Sequence, residues 1–347
     1  MTQKPSLSER KSDHLKLAEK AQTKASDVDR RFQYEPMLSA HPQDVIGEVE
    51  RRFGMNWLGK TMKAPLWISS MTGGTGDARH INQRLAAVAG EFGLGMGLGS
   101  CRSLLDDSKD FEDFNLRPIL GPDTLFMANI GVAQVEQLLE RGEAERLDEL
   151  VRRLDADALI VHVNPLQEWF QPEGDRLKRP ALETIEELLE EFEAPVVVKE
   201  VGQGMGPKSL AALIRLPLAG LEFGAFGGTN FSVLESLRSS GQKNSSFVEL
   251  TRVGHTAEQM VESVNIILEE LGTQALCQNF IISGGIQSAL HAYALMQQLQ
   301  GPCVFGRARA FLERADQSEQ ALREFVMEEL GCLAMGACFL DVEETRL

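Results

Sequence analysis

Residues 93–101 read GLGMGLGSC, with a glycine at every second position from Gly93 to Gly99. An open, doubly wound α/β sheet that binds a dinucleotide carries the spacing GxGxxG, which this strict alternation does not contain. The stretch is instead one of eight short apolar segments, most of which end in Gly, Ser, Thr or Asn. The others are APLWISSMTGG (64–74), LFMANIG (125–131), ALIVHVN (158–164), PVVVKEVG (195–202), GLEFGAFGGTN (220–230), NFIISGG (279–285) and PCVFGRA (302–308).

Amphipathic helical patterns lie between most of these segments, for example VAQVEQLLERG (132–142), ALETIEELLEEF (181–192), AEQMVESVNIILEELG (257–272) and SALHAYALMQQLQ (288–300). Strands that are apolar on both faces and alternate with helices indicate a parallel sheet, and eight such units indicate a closed barrel. We therefore predict an α/β fold, a (β/α)8 TIM barrel with a short N-terminal extension. The open, doubly wound sheet is the alternative.

The predicted extension comprises residues 1–60, which show no clear strand and one short helix from Arg10 to Ala21. We expect it to pack on a single barrel domain of residues 61–347. Residues 239–256 form the longest connection, and connections of that length are commonly lids or disordered segments.

Composition restricts the partners of this chain of 347 residues. It carries 35 Lys and Arg against 51 Asp and Glu, a formal charge of -16, which argues against nucleic acid or an anionic membrane. An anionic ligand must therefore be held by a local basic cluster. Five cysteines without close CxxC pairing suit a reducing compartment, and the N-terminus shows no signal-peptide pattern. We expect a cytoplasmic homo-oligomer.

Polar residues and glycines, together with one methionine, end most of the predicted strands, which is where barrels gather their active sites. Any one of them is ordinarily a turn residue, but together they indicate a site. They are Met71, Thr72, Gly73, Gly74, Ser100, Asn129, Lys199, Gly227, Gly228, Thr229, Asn230, Ser283, Gly284 and Gly285. Lys199 is the strongest signal, because a buried ammonium is costly unless it meets an anion or a hydrogen-bonding ring. Glu200 points to the opposite face of the strand, and no other anion is predicted beside Lys199.

Glycine-rich turns follow the last two segments, at ISGGI (282–286) and VFGRARAFL (304–312). Such turns suit a phosphate group held by backbone N–H groups and a helix N-terminus. An electron-poor ring with a phosphate tail would satisfy these turns together with Lys199, Asn129, Ser100 and Thr72. Flavin mononucleotide (FMN) is such a ligand.

The segment LIVHVNPLQEWFQPEGD (159–175) gathers an imidazole, two amides and a carboxylate near one strand end. His162 and Asn164 alternate with Val163 and so face the barrel mouth, while Gln167 and Glu168 are expected in the following loop. On local sequence alone Glu168 could be a surface carboxylate, but beside a diphosphate we expect it to hold Mg²⁺.

A basic cluster lies near the N-terminus, where RKSDHL (10–15) brings together Arg10, Lys11 and His14. On local sequence alone it is a solvated helix start. A diphosphate ligand would favour a binding role, because it needs several cations to offset its charge.

These motifs together resemble the flavin-dependent, type 2 isopentenyl diphosphate isomerase family. The matching stretches are RKSDHL, ISSMTGGT, GLGMGLGSCR, MANIG, HVNPLQEWFQPEGD, VVVKEVGQGM, FGGTN and SGGI, spread from Arg10 to about Leu312. The sequence departs from the family pattern in three places: LKRP follows EGDR, Asn230 and Phe231 stand where Ser-Trp is common, and His291 stands where Asp is frequent.

The resemblance implies a role for each matching position. Substrate would be bound by Arg10, Lys11, His14, His162, Asn164 and Gln167, with Gln167 over the alkene and Gln167 and His162 as the catalytic pair. Glu168 would bind Mg²⁺. The flavin contacts would be Met71, Thr72, Gly73, Ser100, Asn129, Lys199, Thr229, Gly284, Gly285, Ala308 and Arg309.

The reaction that the resemblance implies interconverts isopentenyl and dimethylallyl diphosphate without net redox change. Reduced FMN, made once with NAD(P)H, would act as acid and base, so the strand end needs no pair of acids. One rival is an FMN-dependent 2-hydroxy acid oxidoreductase, which would need a His base and an Arg clamp near the last two strands. A second rival is a non-catalytic sensor of flavin or prenyl diphosphate.

Overall fold

The computed structural model describes residues 6–70, 78–106, 109–238 and 246–343, and its centre is a closed barrel of eight parallel strands, β4 to β11. In chain order the strands are β1 (Phe32–Tyr34), β2 (Met55–Trp57), β3 (Lys60–Met62), β4 (Leu66–Ile68), β5 (Gly95–Gly97), β6 (Phe126–Gly131), β7 (Ala158–Val163), β8 (Val196–Glu200), β9 (Gly220–Glu222), β10 (Phe280–Ser283), β11 (Cys303–Arg307) and β12 (Leu340–Val342). The predicted (β/α)8 barrel is confirmed, and the open sheet is excluded because β11 pairs with β4.

Helices connect the barrel strands and cover their outer faces. They are α1 (Leu7–Leu17), α2 (Val45–Phe53), α3 (Ala78–Phe92), α4 (Ser103–Asp106), α5 (Phe111–Phe114), α6 (Arg117–Leu120), α7 (Val132–Glu140), α8 (Glu145–Leu154), α9 (Pro165–Phe170), α10 (Ala181–Glu191), α11 (Pro207–Ile214), α12 (Phe231–Arg238), α13 (Ala257–Leu271), α14 (Ala289–Gln298), α15 (Arg309–Gln317) and α16 (Glu319–Phe339). Short 3₁₀ turns cover Ala25–Asp27, Ser246–Arg252 and Gly272–Gln274. The helical patterns predicted at 132–142, 181–192, 257–272 and 288–300 are confirmed as α7, α10, α13 and α14.

The barrel interior changes from apolar to polar along the strands. One buried cluster fills its lower part with Trp67, Met127, Ile160, Val197, Ile281 and Val304. Because side chains alternate along a strand, residues two positions further on point into the same interior, nearer the C-terminal end. Those residues are Ser69, Asn129, His162, Lys199, Ser283 and Gly306. The sequence alternation therefore places a polar layer on top of the apolar one.

The hairpin of β2 and β3 packs against the N-terminal end of this interior. Its turn uses Leu58 and Gly59, both at positive φ, as tight hairpins require. The Trp57 ring lies 6.0 Å from the Trp67 ring, and its Nε1–H donates to the carbonyl of Ala219 at 3.0 Å. The hairpin thus buries the apolar layer at the end of the barrel opposite the site.

The prediction that residues 1–60 carry no strand is wrong. Residues 32–34 pair antiparallel with residues 340–342, and residues 55–57 pair with residues 60–62. Strands of three residues are too short for an alternating pattern to stand out. The boundary between extension and barrel near residue 60 stays a prediction.

The N-terminal helix forms, but it covers Leu7–Leu17 rather than Arg10 to Ala21. Its described side chains are all exposed, including Leu15 at 84%. In the long connection at 239–256, residues 239–245 lie outside the described residues, and 246–252 form a 3₁₀ turn. Within the described residues, no helix is long and apolar enough to cross a membrane.

Candidate active site

Three neighbouring strands place their charged and imidazole groups side by side in the polar layer. His162 on β7 is in register with Lys199 on β8, and Lys199 is in register with Glu222 on β9. This row lies at the C-terminal ends of the strands, where barrel enzymes hold their catalytic groups.

Lys199 meets an anion that the sequence analysis did not predict. Its Nζ lies 3.7 Å from Oε1 of Glu222 and donates to the backbone carbonyl of Glu200 at 2.9 Å. The side chains are 8% and 0% exposed, so the pair is removed from water. The expectation that no other anion lies beside Lys199 is therefore wrong. Glu222 is an acidic residue inside the apolar segment GLEF, and burying its charge is as costly as burying that of Lys199. The same argument could therefore have predicted this anion from the sequence.

The hydrogen bonds of His162 determine which of its ring nitrogens carries a proton. Asn129 donates through Nδ2 to the carbonyl of Leu98 at 2.9 Å, which turns its Oδ1 toward the imidazole. That oxygen lies 2.8 Å from Nδ1 of His162 and accepts its proton. Burial, assisted by the Lys199 charge, lowers the pKa of His162 to about 3. The ring is therefore neutral near pH 7, with an unprotonated Nε2.

Gln167 and Glu168 lie in helix α9, not in the predicted loop. Asn164 precedes the helix and Pro165 is its first residue, a common way to start a helix. The Nδ2 group of Asn164 donates to Oε1 of Gln167 at 3.1 Å and to Oε1 of Glu168 at 2.9 Å. Asn164 therefore orients two of the predicted functional residues.

Glu168 is a buried carboxylate with both oxygens already hydrogen bonded. Oε1 accepts from Asn164, and Oε2 accepts from the backbone N–H of Asp175 at 2.7 Å. Among the described residues, no cluster of three or more His, Cys, Asp or Glu forms a metal site. Each carboxylate oxygen still has a free lone-pair direction.

A cavity of about 440 Å³ opens beside this row, at the ends of β8 to β11 and β4. Six of the eleven predicted flavin contacts line it: Lys199, Thr229, Gly284, Gly285, Ala308 and Arg309. Ser100 and Asn129 are not among its lining residues. Met71, Thr72 and Gly73 lie outside the described residues.

The turn after β10 can form only with glycine. Gly284 and Gly285 have φ values of +85° and +70°. A Cβ on Gly284 would lie 2.1 Å from the carbonyl oxygen of Ala225, so the two backbones are too close for any side chain. Helix α15 begins next to this turn at Arg309, whose side chain pairs with Glu313 at 2.7 Å. Backbone N–H groups from a glycine turn and a helix start suit a phosphate.

The N-terminal cations are not part of this assembly. Arg10, Lys11 and His14 lie on α1 and are exposed. Among the side chains that the structure describes, none of the three has an ion-pair partner.

TIM-barrel enzymes that take a phosphate-bearing ligand hold polar side chains and a turn suited to phosphate at the C-terminal ends of the barrel strands. The structure has this arrangement. The chain is 37% identical over 332 residues to isopentenyl-diphosphate delta-isomerase of Synechococcus sp., covering 94% of this chain and 90% of that protein. It is 35% identical over 323 residues to the protein of the same name from Rickettsia felis, covering 92% and 88%. The chain belongs to the isopentenyl-diphosphate delta-isomerase family.

Two solved structures of flavoproteins have a similar fold at low sequence identity. A flavocytochrome b2 variant with pyruvate bound has a TM-score of 0.59 and 15% identity, covering 94% of this chain and 81% of that chain. A mandelate oxidase variant with an FMN adduct has a TM-score of 0.53 and 11% identity, covering 90% and 88%. They show the barrel fold alone. No family model matches the chain.

Proposed function

We propose that this protein interconverts isopentenyl diphosphate and dimethylallyl diphosphate, as the type 2 form that uses FMN. The main support for this proposal is the cavity beside Lys199. A glycine turn and the start of a helix also line this cavity. Family membership supports the substrate, and the barrel shared with flavoenzymes is compatible with the cofactor.

The residues around the cavity fit FMN. The cavity volume falls within the range of about 300 to 1,000 Å³ that is typical of ligand pockets. The turn at Gly284 and the start of helix α15 line the cavity and suit a phosphate, and Lys199 offers a positive charge for the ring. Among the described residues, the hydroxyls of Ser69 and Ser70 are buried without hydrogen-bond partners, so the lining has polar groups to offer a ligand.

The isomerisation adds a proton to a weakly basic alkene and removes another from the adjacent carbon. Reduced FMN, formed with NAD(P)H, supplies proton donor and acceptor groups for this reaction when bound. Gln167, held by Asn164, would orient the alkene. The neutral ring of His162 would accept a hydrogen bond through Nε2. It would contact the diphosphate end only when a proton lies on Nε2 or is shared between Nε2 and a phosphate oxygen.

Glu168 would hold Mg²⁺ together with the substrate. Mg²⁺ usually takes one or two carboxylates plus waters and phosphate oxygens. A single buried carboxylate, fixed by Asn164 and the N–H of Asp175, suits a metal that arrives with the diphosphate.

The described cations that line the cavity, Lys199, Arg307 and Arg309, each already pair with a carboxylate, whereas a diphosphate needs cations to offset its own charge. Because His162 is neutral, we propose that Arg10, Lys11 and His14 approach the site when substrate binds. A homo-oligomer, also a prediction, would allow a neighbouring chain to provide them.

A 2-hydroxy acid oxidoreductase is less well supported. Residues 280–283 of β10 contain no histidine, and Ser283 directly precedes Gly284. The required base is therefore missing from this described strand end.

The test uses the FMN-loaded protein reduced with NADPH and supplied with isopentenyl diphosphate and Mg²⁺. We expect dimethylallyl diphosphate in large molar excess over the NADPH consumed, and one deuterium in the new methyl group when the solvent is D₂O. Gln167→Ala should lower isomerisation by at least about tenfold, because proton transfer depends on alkene orientation, and leave flavin reduction intact. Stoichiometric NADPH consumption would contradict the proposal.

A further inference from the structure

Glu222 is a buried charged residue of the cavity lining that the proposed mechanism does not use. Its side chain is 0% exposed, and among the described residues neither carboxylate oxygen has a hydrogen-bond partner. The Lys199 ammonium, 3.7 Å away, balances its charge but is beyond hydrogen-bond distance. A buried carboxylate in this condition is costly unless donors reach it. A ligand that provides hydroxyl or N–H donors would remove that cost.

The position of Glu222 indicates which part of a ligand would reach it. It lines the cavity, as do Lys199 and the Gly284 turn. Its strand, β9, lies between β8, which carries Lys199, and β10, which ends at the Gly284 turn. Glu222 therefore stands between the group suited to a ring and the turn suited to a phosphate.

Two further groups line the same cavity without a hydrogen-bond partner in the described part of the chain. The hydroxyls of Ser69 and Ser70 are buried, lack hydrogen-bond partners among the described residues, and belong to the same cavity lining. Hydroxyls can both donate and accept, whereas an ionised carboxylate only accepts. A ligand chain of several hydroxyl groups would offer donors to the carboxylate and hydrogen-bond partners to both hydroxyls.

We propose that Glu222 binds the ribityl chain of the flavin, accepting hydrogen bonds from its hydroxyl groups through the two free carboxylate oxygens. This inference rests on the proposed FMN cofactor and adds a binding residue to it. Lys199 then has two neighbours, the carboxylate of Glu222 and the flavin ring, and the charge of the pair stays balanced when ligand enters.

The experiment compares three flavins with apoprotein by fluorescence titration: FMN, riboflavin, which lacks the phosphate, and lumiflavin, which lacks the ribityl chain. Glu222→Gln should weaken FMN and riboflavin by about tenfold, as expected for one charge-assisted hydrogen bond, and change lumiflavin by less than about twofold. Glu136→Gln is the matched control, because Glu136 is also buried but accepts from the backbone N–H groups of Lys178 and Arg179. It should leave all three affinities unchanged.

Glu222→Asp separates hydrogen-bond reach from charge and provides a second variant should Glu222→Gln fail to fold. It keeps the negative charge near Lys199 but withdraws the oxygens, so riboflavin should again weaken more than lumiflavin. Equal losses for riboflavin and lumiflavin, or none, would overturn the inference and leave Glu222 as a counter-ion only. If neither variant folds, wild-type riboflavin binding within about twofold of lumiflavin overturns it, and tighter riboflavin binding supports it. Wild-type protein that binds none of the three flavins would instead overturn the proposed function.

Discussion

At the scale of single residues, His162 makes the stability of the fold depend on pH. Its pKa is about 3 in the folded protein against an ordinary value of 6.5, because burial and Lys199 disfavour the charged ring. Between these values the unfolded chain binds the proton and the folded protein does not. The free energy of unfolding therefore falls as pH drops below 6.5, by at most about 1.4 kcal/mol per pH unit. Some solvent contact of the ring reduces this value.

His162→Gln should flatten this acid dependence between pH 6.5 and pH 4. The measurement is urea unfolding of the flavin-free protein at several pH values in this range. His80→Gln is the control, since His80 is exposed on α3. A wild-type profile in the His162 variant would mean that the ring is protonated in the folded protein.

The Lys199–Glu222 pair should behave as one unit in stability. Lys199→Met leaves a buried carboxylate without its counter-ion, and breaking a buried pair in this way costs about 3 to 5 kcal/mol. In Lys199→Met/Glu222→Gln neither side chain of the pair is charged. The double variant should therefore lose less free energy of unfolding than the two single variants lose in total. Denaturant unfolding of the flavin-free single and double variants measures this coupling. Additive costs would show that the two side chains do not interact.

Of the two charged residues that pair inside the barrel, the sequence analysis predicted a role for only one. Lys199 was recognised because an ammonium among valines is costly, yet Glu222 follows the same rule in GLEF. The sequence does not show strand register, so it could not pair the two. His162 was placed correctly near the strand end, but its proton position follows from Asn129 and Leu98, which only the fold brings next to it.

At the scale of elements, the turn after β10 should not tolerate a side chain. Gly284→Ala places a Cβ against the backbone of Ala225 at a positive φ, so the turn must shift. We expect FMN affinity to fall toward that of riboflavin, because the phosphate loses its backbone donors. Flavin titration measures this difference. Unchanged FMN affinity would place the phosphate elsewhere.

Gly331→Ala is the matched control for that substitution. Gly331 lies in α16, and apart from its chain neighbours and the backbone of its own helix no atom lies within 4 Å of an added Cβ. Alanine there should leave flavin binding unchanged and raise stability by at most about 1 kcal/mol, because glycine is a poor helix former. This control separates the geometry of the turn from a general effect of replacing glycine.

The elements that the sequence predicted best are those with a long, regular pattern. Eight apolar segments matched the eight barrel strands, although β4, β5 and β9 have only three residues each. Helix α9 was missed because six residues are too few for a helical period, and only Asn164 and Pro165 indicate its start. The β2–β3 hairpin was missed because its residues pair with each other over very short strands.

At the scale of the whole molecule, the net negative charge of the chain repels a negatively charged diphosphate. The formal charge is -16, and α1 carries basic residues on an exposed helix away from the barrel packing. Any loss of positive charge would weaken diphosphate binding slightly through the overall field. A specific role for Arg10 and Lys11 must exceed that general effect.

Arg10→Gln/Lys11→Gln should therefore raise KM for isopentenyl diphosphate by at least about tenfold, since charge-assisted contacts to phosphate are each worth more than about 1.5 kcal/mol. Lys16→Gln/Lys20→Gln removes the same charge from the same exposed segment and should raise KM by less than about twofold. Thermal unfolding and flavin content should match wild type in both variants, because these side chains are exposed. Steady-state kinetics at fixed ionic strength decides between the two effects. Equal KM values in the two variants would mean that Arg10 and Lys11 contribute only to the overall field, and that the diphosphate is held by the barrel end and its metal.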